Sequence, residues 1–113
     1  MPLPGAEQAI VDPAKVRDYL LSFEHPVGRA KAAFFATLGF TRDRWPELRE
    51  ALLQLARTEP ATPGADTPFG QKYHVAGTIQ GPSGRAAIVV TVWIVLTGEK
   101  RPRFVTAYPG AAP

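Results

Sequence analysis

Cysteine is absent from this chain of 113 residues. Its absence excludes disulfides, thiolate metal ligands and thiol nucleophiles, and leaves packing as the source of stability. Histidine is scarce: His25 and His74 are the only two, so imidazole chemistry has two addresses. No group of His, Asp and Glu has ligand spacing, so neither a metal site nor a cofactor is expected. The segment Gly81-Pro82-Ser83-Gly84 is a hairpin turn with no helix after it, so it is not a phosphate loop, and there is no GxSxG elbow. Long apolar runs are missing too. Ala86 to Leu96 is interrupted by Thr91 and is too short to cross a bilayer, and Met1-Pro2-Leu3-Pro4-Gly5 lacks a basic region followed by an apolar stretch. The expectation is a cytoplasmic protein without a signal peptide or membrane contact.

The chain is 45% hydrophobic and 20% charged, the balance of a folded globular domain, and its length suits one domain spanning 1–113 with one core. Its 12 prolines imply rigid loop entries. Residues 1–67 hold eight Lys/Arg against nine Asp/Glu, whereas 68–113 hold five (Lys72, Arg85, Lys100, Arg101, Arg103) against Glu99 alone. This basic end favours an anionic partner, nucleic acid or acidic protein.

Asp12-Pro13 is a helix start, since Asp caps free N–H groups and Pro suits the first helical position. Val16, Tyr19 and Leu20 predict a buried stripe on a helix over 13–22, ended by His25-Pro26. A second helix over 27–38 would bury Ala30, Phe34, Phe35 and Leu38 and stop at Gly39. A third, with Leu48, Leu52 and Leu55, ends near Arg57. The helical half thus covers about 12–57. The Pro/Thr/Gly/Ala composition of 58–70 predicts a loop, although part of it can pair as an additional strand. Alternating residues over 71–79, 85–96 and 102–108 predict strands in a β half over 71–109, with a frayed tail over 110–113. The expected fold is α+β: two to three N-terminal helices packed on one face of a three- to four-stranded antiparallel sheet, whose other face is partly open.

Polar residues interrupt the closing strand Pro102-Arg103-Phe104-Val105-Thr106-Ala107-Tyr108-Pro109, and the other comparable polar cluster is Glu24-His25-Pro26-Val27-Gly28-Arg29-Ala30-Lys31. Together they predict one site from two distant segments. His25 beside Glu24 suits acid/base work, or else its ring bonds a loop carbonyl and fixes the turn. Lys31 near a helix start can meet a phosphate, or is an ordinary exposed lysine. Arg103 offers a guanidinium fork for phosphate or carboxylate. Strict alternation, however, sets Arg103 opposite Thr106 and Tyr108 unless a bulge or the strand end re-aims one of them. Thr91, Lys72 and His74 are candidate substrate-binding groups. For Thr91 a functional hydroxyl competes with plain β propensity, whereas Trp93 is expected in the core. A stacking role for Tyr73 and Trp93 on single-stranded RNA would need that indole exposed.

The series Asp12-Pro13-x-Lys15, Tyr19-Leu20-Leu21, His25-Pro26-Val27-Gly28 with Lys31, Gly70-x-Lys72-Tyr73, Thr91-Val92-Trp93-Ile94 and the closing Pro102-to-Pro109 segment resembles an uncharacterised family of small bacterial and phage-borne proteins along nearly the whole chain. The motifs specify membership, not a reaction. The order of helices, then antiparallel sheet with a polar closing strand, also resembles, more distantly, the barnase, EndoU, colicin and RelE group of ribonuclease toxins. That likeness implies metal-independent RNA cleavage in which His25 serves as general base or acid. Lys31 and Arg103 would stabilise phosphorane-like charge, Thr106 or Tyr108 would orient the phosphate, and Glu24 or His74 would be the partner acid/base. It also implies a cognate antitoxin or immunity-type protein. The alternative is a non-catalytic interaction module, itself immunity- or antitoxin-like, binding an acidic partner through its basic sheet.

Overall fold

The computed structural model describes residues 1–110, so of the tail expected over 110–113 only Gly110 falls within it. Gly110 N–H donates to the Ile88 carbonyl at 2.8 Å, which continues the sheet rather than fraying from it.

The first helix differs from its expected form. Asp12 caps it as its sequence implies, accepting from the Ala14 N–H at 2.9 Å, but α1 (Pro13–Lys15) gives way at once to a π-helical turn, Val16–Leu20. The Leu21 N–H donates five residues back, to the Val16 carbonyl at 3.0 Å. This wider turn buries Val16 and Leu20 but leaves Tyr19 half-buried. α2 (Gly28–Thr37) ends where Gly39 takes a φ of +93°, a left-handed position that favours glycine. α3 (Trp45–Thr58) is amphipathic, with Leu48, Leu52, Leu53, Leu55 and Ala56 buried along one side.

Four strands follow: β1 (Ala61–Thr67), β2 (Gly70–Gln80), β3 (Ala86–Leu96) and β4 (Pro102–Pro109), paired antiparallel in the order β1-β2-β3-β4. The architecture is therefore α+β, with three helices and an open four-stranded sheet. Most of the segment expected as a loop over 58–70 is β1. Ala61, Thr62 and Pro63 pair with Val75, His74 and Tyr73, and the register then shifts before Asp66. Turn-type composition misleads here because an edge strand tolerates Pro and a bulge, since half of its backbone groups need no ladder partner. The N-terminal segment straps the opposite edge: Ile10 N–H donates to Pro102 O and Phe104 N–H to Ile10 O, both at 2.9 Å.

The two faces of the sheet are unlike. Val75, Ile79, Val89, Trp93, Phe104 and Ala107 join Leu20, Phe35, Leu48 and Leu52 in one core cluster. Trp93 is fully buried with Phe104 edge-on at 5.5 Å between centroids, a pairing favoured by the ring quadrupoles. Ile88, Val90 and Ile94, on the other face of β3, are only half-buried. Among the described residues no helix is long and apolar enough to cross a membrane.

Candidate functional site

β4 settles the facing problem on its own strand. Val92 pairs with Thr106 and Trp93 with Phe104, so Val105 is an extra residue on β4, a β-bulge. On either side of it Arg103 pairs with Ile94, Thr106 with Val92 and Tyr108 with Val90. Directly paired residues share a face, so Arg103, Thr106 and Tyr108 all fall on the face away from the helices. They occupy consecutive rows about 7 Å apart. The bulged residue is engaged through its carbonyl, which accepts from Lys15 Nζ at 3.4 Å. Lys72 pairs with Ile94 and His74 with Val92, so both lie on this face as well. The His74 ring packs over the backbone of Gly64, where a Cβ would come within 2.9 Å of Cδ2 and Nε2. His74 therefore leans towards β1, away from the β4 group.

The helical residues reach the same surface around the β4 edge. Tyr19 OH and Thr106 Oγ1 lie 3.0 Å apart, and the His25 ring stands edge-on to the Tyr19 ring at 5.0 Å. Lys31 Nζ sits over the Tyr108 ring, 5.7 Å from its centre, a cation–π contact. Four of the five expected catalytic residues thus gather in two adjoining groups, His25 with Thr106 through Tyr19, and Lys31 with Tyr108. Arg103 lies one row away and is engaged: its Nε and Nη2 donate to the two Glu99 carboxylate oxygens at 3.0 and 3.1 Å. The hydrogen bond lowers the pKa of Glu99 and raises that of Arg103.

His25 fixes its turn, but as an acceptor rather than a donor. Nδ1 accepts from the Val27 and Gly28 N–H groups, each at 3.0 Å, so the ring caps the start of α2 instead of donating to a loop carbonyl. With Nδ1 an acceptor, the neutral ring carries its proton on Nε2. Gly28 completes the joint, because a Cβ there would overlap the Tyr19 carbonyl oxygen. The His25-Pro26-Val27-Gly28 motif therefore seats α2 against the π turn.

Thr91 lies elsewhere. It is fully buried, donating to the Val75 carbonyl at 2.6 Å and accepting from Trp93 Nε1 at 2.8 Å. Its hydroxyl serves the core, out of reach of a ligand, and the buried Trp93 offers no stacking surface. Tyr19 is what the sequence missed: its spacing with Val16 and Leu20 reads as core, and nothing in the sequence signals the π turn that aims it at Thr106.

A cleft of about 610 Å3 opens beside this arrangement, lined by Asp12, Lys15, Asp18, Tyr19, His25 and Thr106. A second hollow of about 520 Å3, with Leu21, Phe23, Ala32 and Phe40 in its walls, shares His25 and Asp18 with the first. Asp18 is clamped by Arg17 and Arg42 at 3.0 and 2.7 Å, and their hydrogen bonds bring its pKa down to about 2. Among the described residues no three His, Asp or Glu side chains stand close enough to hold a metal ion together.

The whole pattern, from the N-terminal strap to β4, matches one family over residues 2–111. The chain belongs to the family described as domain of unknown function DUF6883. No curated protein sequence matches this DUF6883 chain. Its fold is similar to that of a chain in the contact-dependent growth inhibition toxin–immunity protein complex from Klebsiella pneumoniae 342. The TM-score is 0.72 at 19% identity, over 96% of this chain and 98% of that one. At that identity the likeness is one of fold.

Proposed function

We propose that this DUF6883 domain is a metal-independent endoribonuclease of toxin type, acting in the cytosol and held in check by a cognate immunity or antitoxin protein. The observation that carries this reading is the Val105 bulge, which aligns Arg103, Thr106 and Tyr108 on the uncovered sheet face beside His25 and Lys31. In the reaction a ribose 2′-oxygen attacks the adjacent phosphorus while the bond from phosphorus to the 5′-oxygen breaks, leaving a 2′,3′-cyclic phosphate. Lys31 and Arg103 offset the charge that builds on the phosphate oxygens, and Thr106 and Tyr108 hold those oxygens in place. Because His25 Nδ1 is occupied, the neutral ring donates a hydrogen bond through Nε2–H to a phosphate oxygen, and the departing 5′-oxygen takes its proton from solvent. Glu24, next in sequence to His25, takes the 2′-hydroxyl proton, since His74 leans towards β1 and away from the β4 group. The basic balance of residues 68–113 draws a polyanion to this half.

The test is incubation of purified protein with total RNA in EDTA, beside His25→Ala and His74→Ala, with analysis of fragment ends. Cleavage to cyclic-phosphate ends that His25→Ala loses while staying folded is the expected result. Intact RNA with folded wild-type protein would overturn the proposal in favour of a second reading, a non-catalytic module of immunity type. That reading draws on Phe23, Val27 and Phe69, apolar side chains 62%, 62% and 75% exposed, which suit contact with another protein. The similar structure comes from a complex of toxin and immunity protein, which is compatible with either role.

A further inference from the structure

We infer that Tyr19 is a ligand-contacting residue of this site, paired with Thr106 to hold one non-bridging phosphate oxygen, and that the His25-to-Gly28 motif serves to position it. The inference rests on the proposed phosphodiester substrate, but it assigns a role to a residue whose sequence context marks it as core.

The argument begins with the hydroxyl pair. Tyr19 OH and Thr106 Oγ1 are 3.0 Å apart and either can be the donor. Two hydroxyls joined by one hydrogen bond retain one O–H hydrogen that neither needs. Here both residues are half-buried and line the same cleft of about 610 Å3. The remaining donor is thus available to a ligand there, and the bond between the hydroxyls strengthens it, since the oxygen that accepts from its neighbour becomes the better donor. Lys15 and His25 line the cleft alongside, so two positive or donating groups flank the pair. The acids on the cleft wall are occupied, Asp12 capping α1 and Asp18 clamped by two arginines.

Three features of the chain converge on holding Tyr19 there. A π-helical turn carries it, and such turns are uncommon and recur at functional sites. His25 presents its ring edge to the Tyr19 ring while its Nδ1 caps α2. Gly28 has no Cβ because the Tyr19 carbonyl occupies that space. A tyrosine needed only for packing requires none of the contacts to its hydroxyl.

The experiment compares wild type, Tyr19→Phe, Thr106→Val, Thr106→Ser and the Tyr19→Phe/Thr106→Val double variant. Two readouts are used, RNA cleavage (kcat and KM separately) and affinity for a non-cleavable 2′-deoxy oligonucleotide, with urea melts to confirm folding. Tyr19→Phe keeps the ring against His25, so it is expected to fold and to weaken oligonucleotide binding by about 10- to 100-fold, the worth of a hydrogen bond to a charged group. Thr106→Ser should retain binding, and the double variant should be little worse than either single one, because the two hydroxyls act as a unit. Wild-type-like binding by folded Tyr19→Phe overturns the inference, whether or not the protein cleaves RNA. Binding without cleavage in wild type overturns the nuclease reading while the Tyr19 comparison still decides the inference. A wild type that neither binds nor cleaves overturns both.

Discussion

The same three strands, β2, β3 and β4, present two faces that treat polar groups in opposite ways. On the helix-covered face the single buried hydroxyl among the described residues, that of Thr91, is bonded on both sides, to the Val75 carbonyl and to the Trp93 indole. No buried side-chain nitrogen or oxygen is left without a partner among the described residues. On the uncovered face Thr106, Tyr108, Lys72 and His74 are half-buried, and they rest on a floor of valines and isoleucine. Burial makes an unpaired polar group costly, so the core engages every one it holds. A half-exposed group escapes that penalty and keeps capacity for a ligand. Location of a polar residue, more than its type, separates the groups spent on structure from those left open to a ligand in this domain.

The contrast predicts large stability losses on the covered face. Trp93→Ala should cost about 3–5 kcal/mol, since it empties the centre of the cluster and strips Thr91 of its donor. Urea denaturation is the check, and a loss below about 1 kcal/mol would mean that Trp93 does not organise this core. Thr91→Val should cost less, about 1–3 kcal/mol, by leaving the buried indole N–H without an acceptor. Equal stability of Thr91→Val and wild type would remove the distinction drawn between the two faces.

On the uncovered face the same kinds of change should spare the fold. Tyr108→Phe keeps the ring beneath Lys31 and removes only a half-exposed hydroxyl, so its unfolding midpoint should match wild type within about 0.5 kcal/mol. Under the proposed nuclease activity the effect falls instead on RNA cleavage, with a loss of at least tenfold. A Tyr108→Phe protein that cleaves normally would take this hydroxyl out of the site without disturbing the rest.

The legibility of these regions in the sequence follows the same division. The buried stripe of α3 and the alternation of β3 announce themselves because burial imposes a period on apolar residues. In the stripe expected for α2, Phe35 and Leu38 are buried as their spacing implies, but Ala30 is exposed and Ala32 is buried instead. Gly39 announced a helix end for a similarly local reason. The edge strand β1 did not, because Pro63 and Gly64 carry turn composition and an edge has little ladder to defend. The two segments of the candidate site were legible, with a bulge on β4 as the condition for Arg103 to share a face with Thr106 and Tyr108, but the π turn was not. His25, Lys31, Thr106 and Tyr108 were recognisable as residues, yet their meeting depends on a bulge and a π turn. Each inserts one residue's worth of backbone, and neither leaves a compositional trace. Thr91 shows the converse, for a hydroxyl in a strand looks the same in sequence whichever face it joins.

The smallest expected effect concerns the charged rim of the joint, where Asp18 precedes Tyr19. The Asp18 carboxyl is held down to about 2 from an ordinary value of 3.8 by hydrogen bonds from Arg17 and Arg42. A folded-state pKa below the unfolded one means that the native protein binds the proton less readily. Its stabilising contribution is therefore complete above about pH 4 and fades as pH falls towards 2. The carboxylate and both arginines are well exposed, so solvent and salt screen the clamp and its worth is small. In acid titrations followed by urea midpoint, wild type should lose stability slightly more steeply than Asp18→Asn between pH 4 and 2, and added salt should narrow the gap. Parallel curves at low salt would show that the joint beneath Tyr19 holds without its charges, by the His25 cap and the Gly28 contact alone.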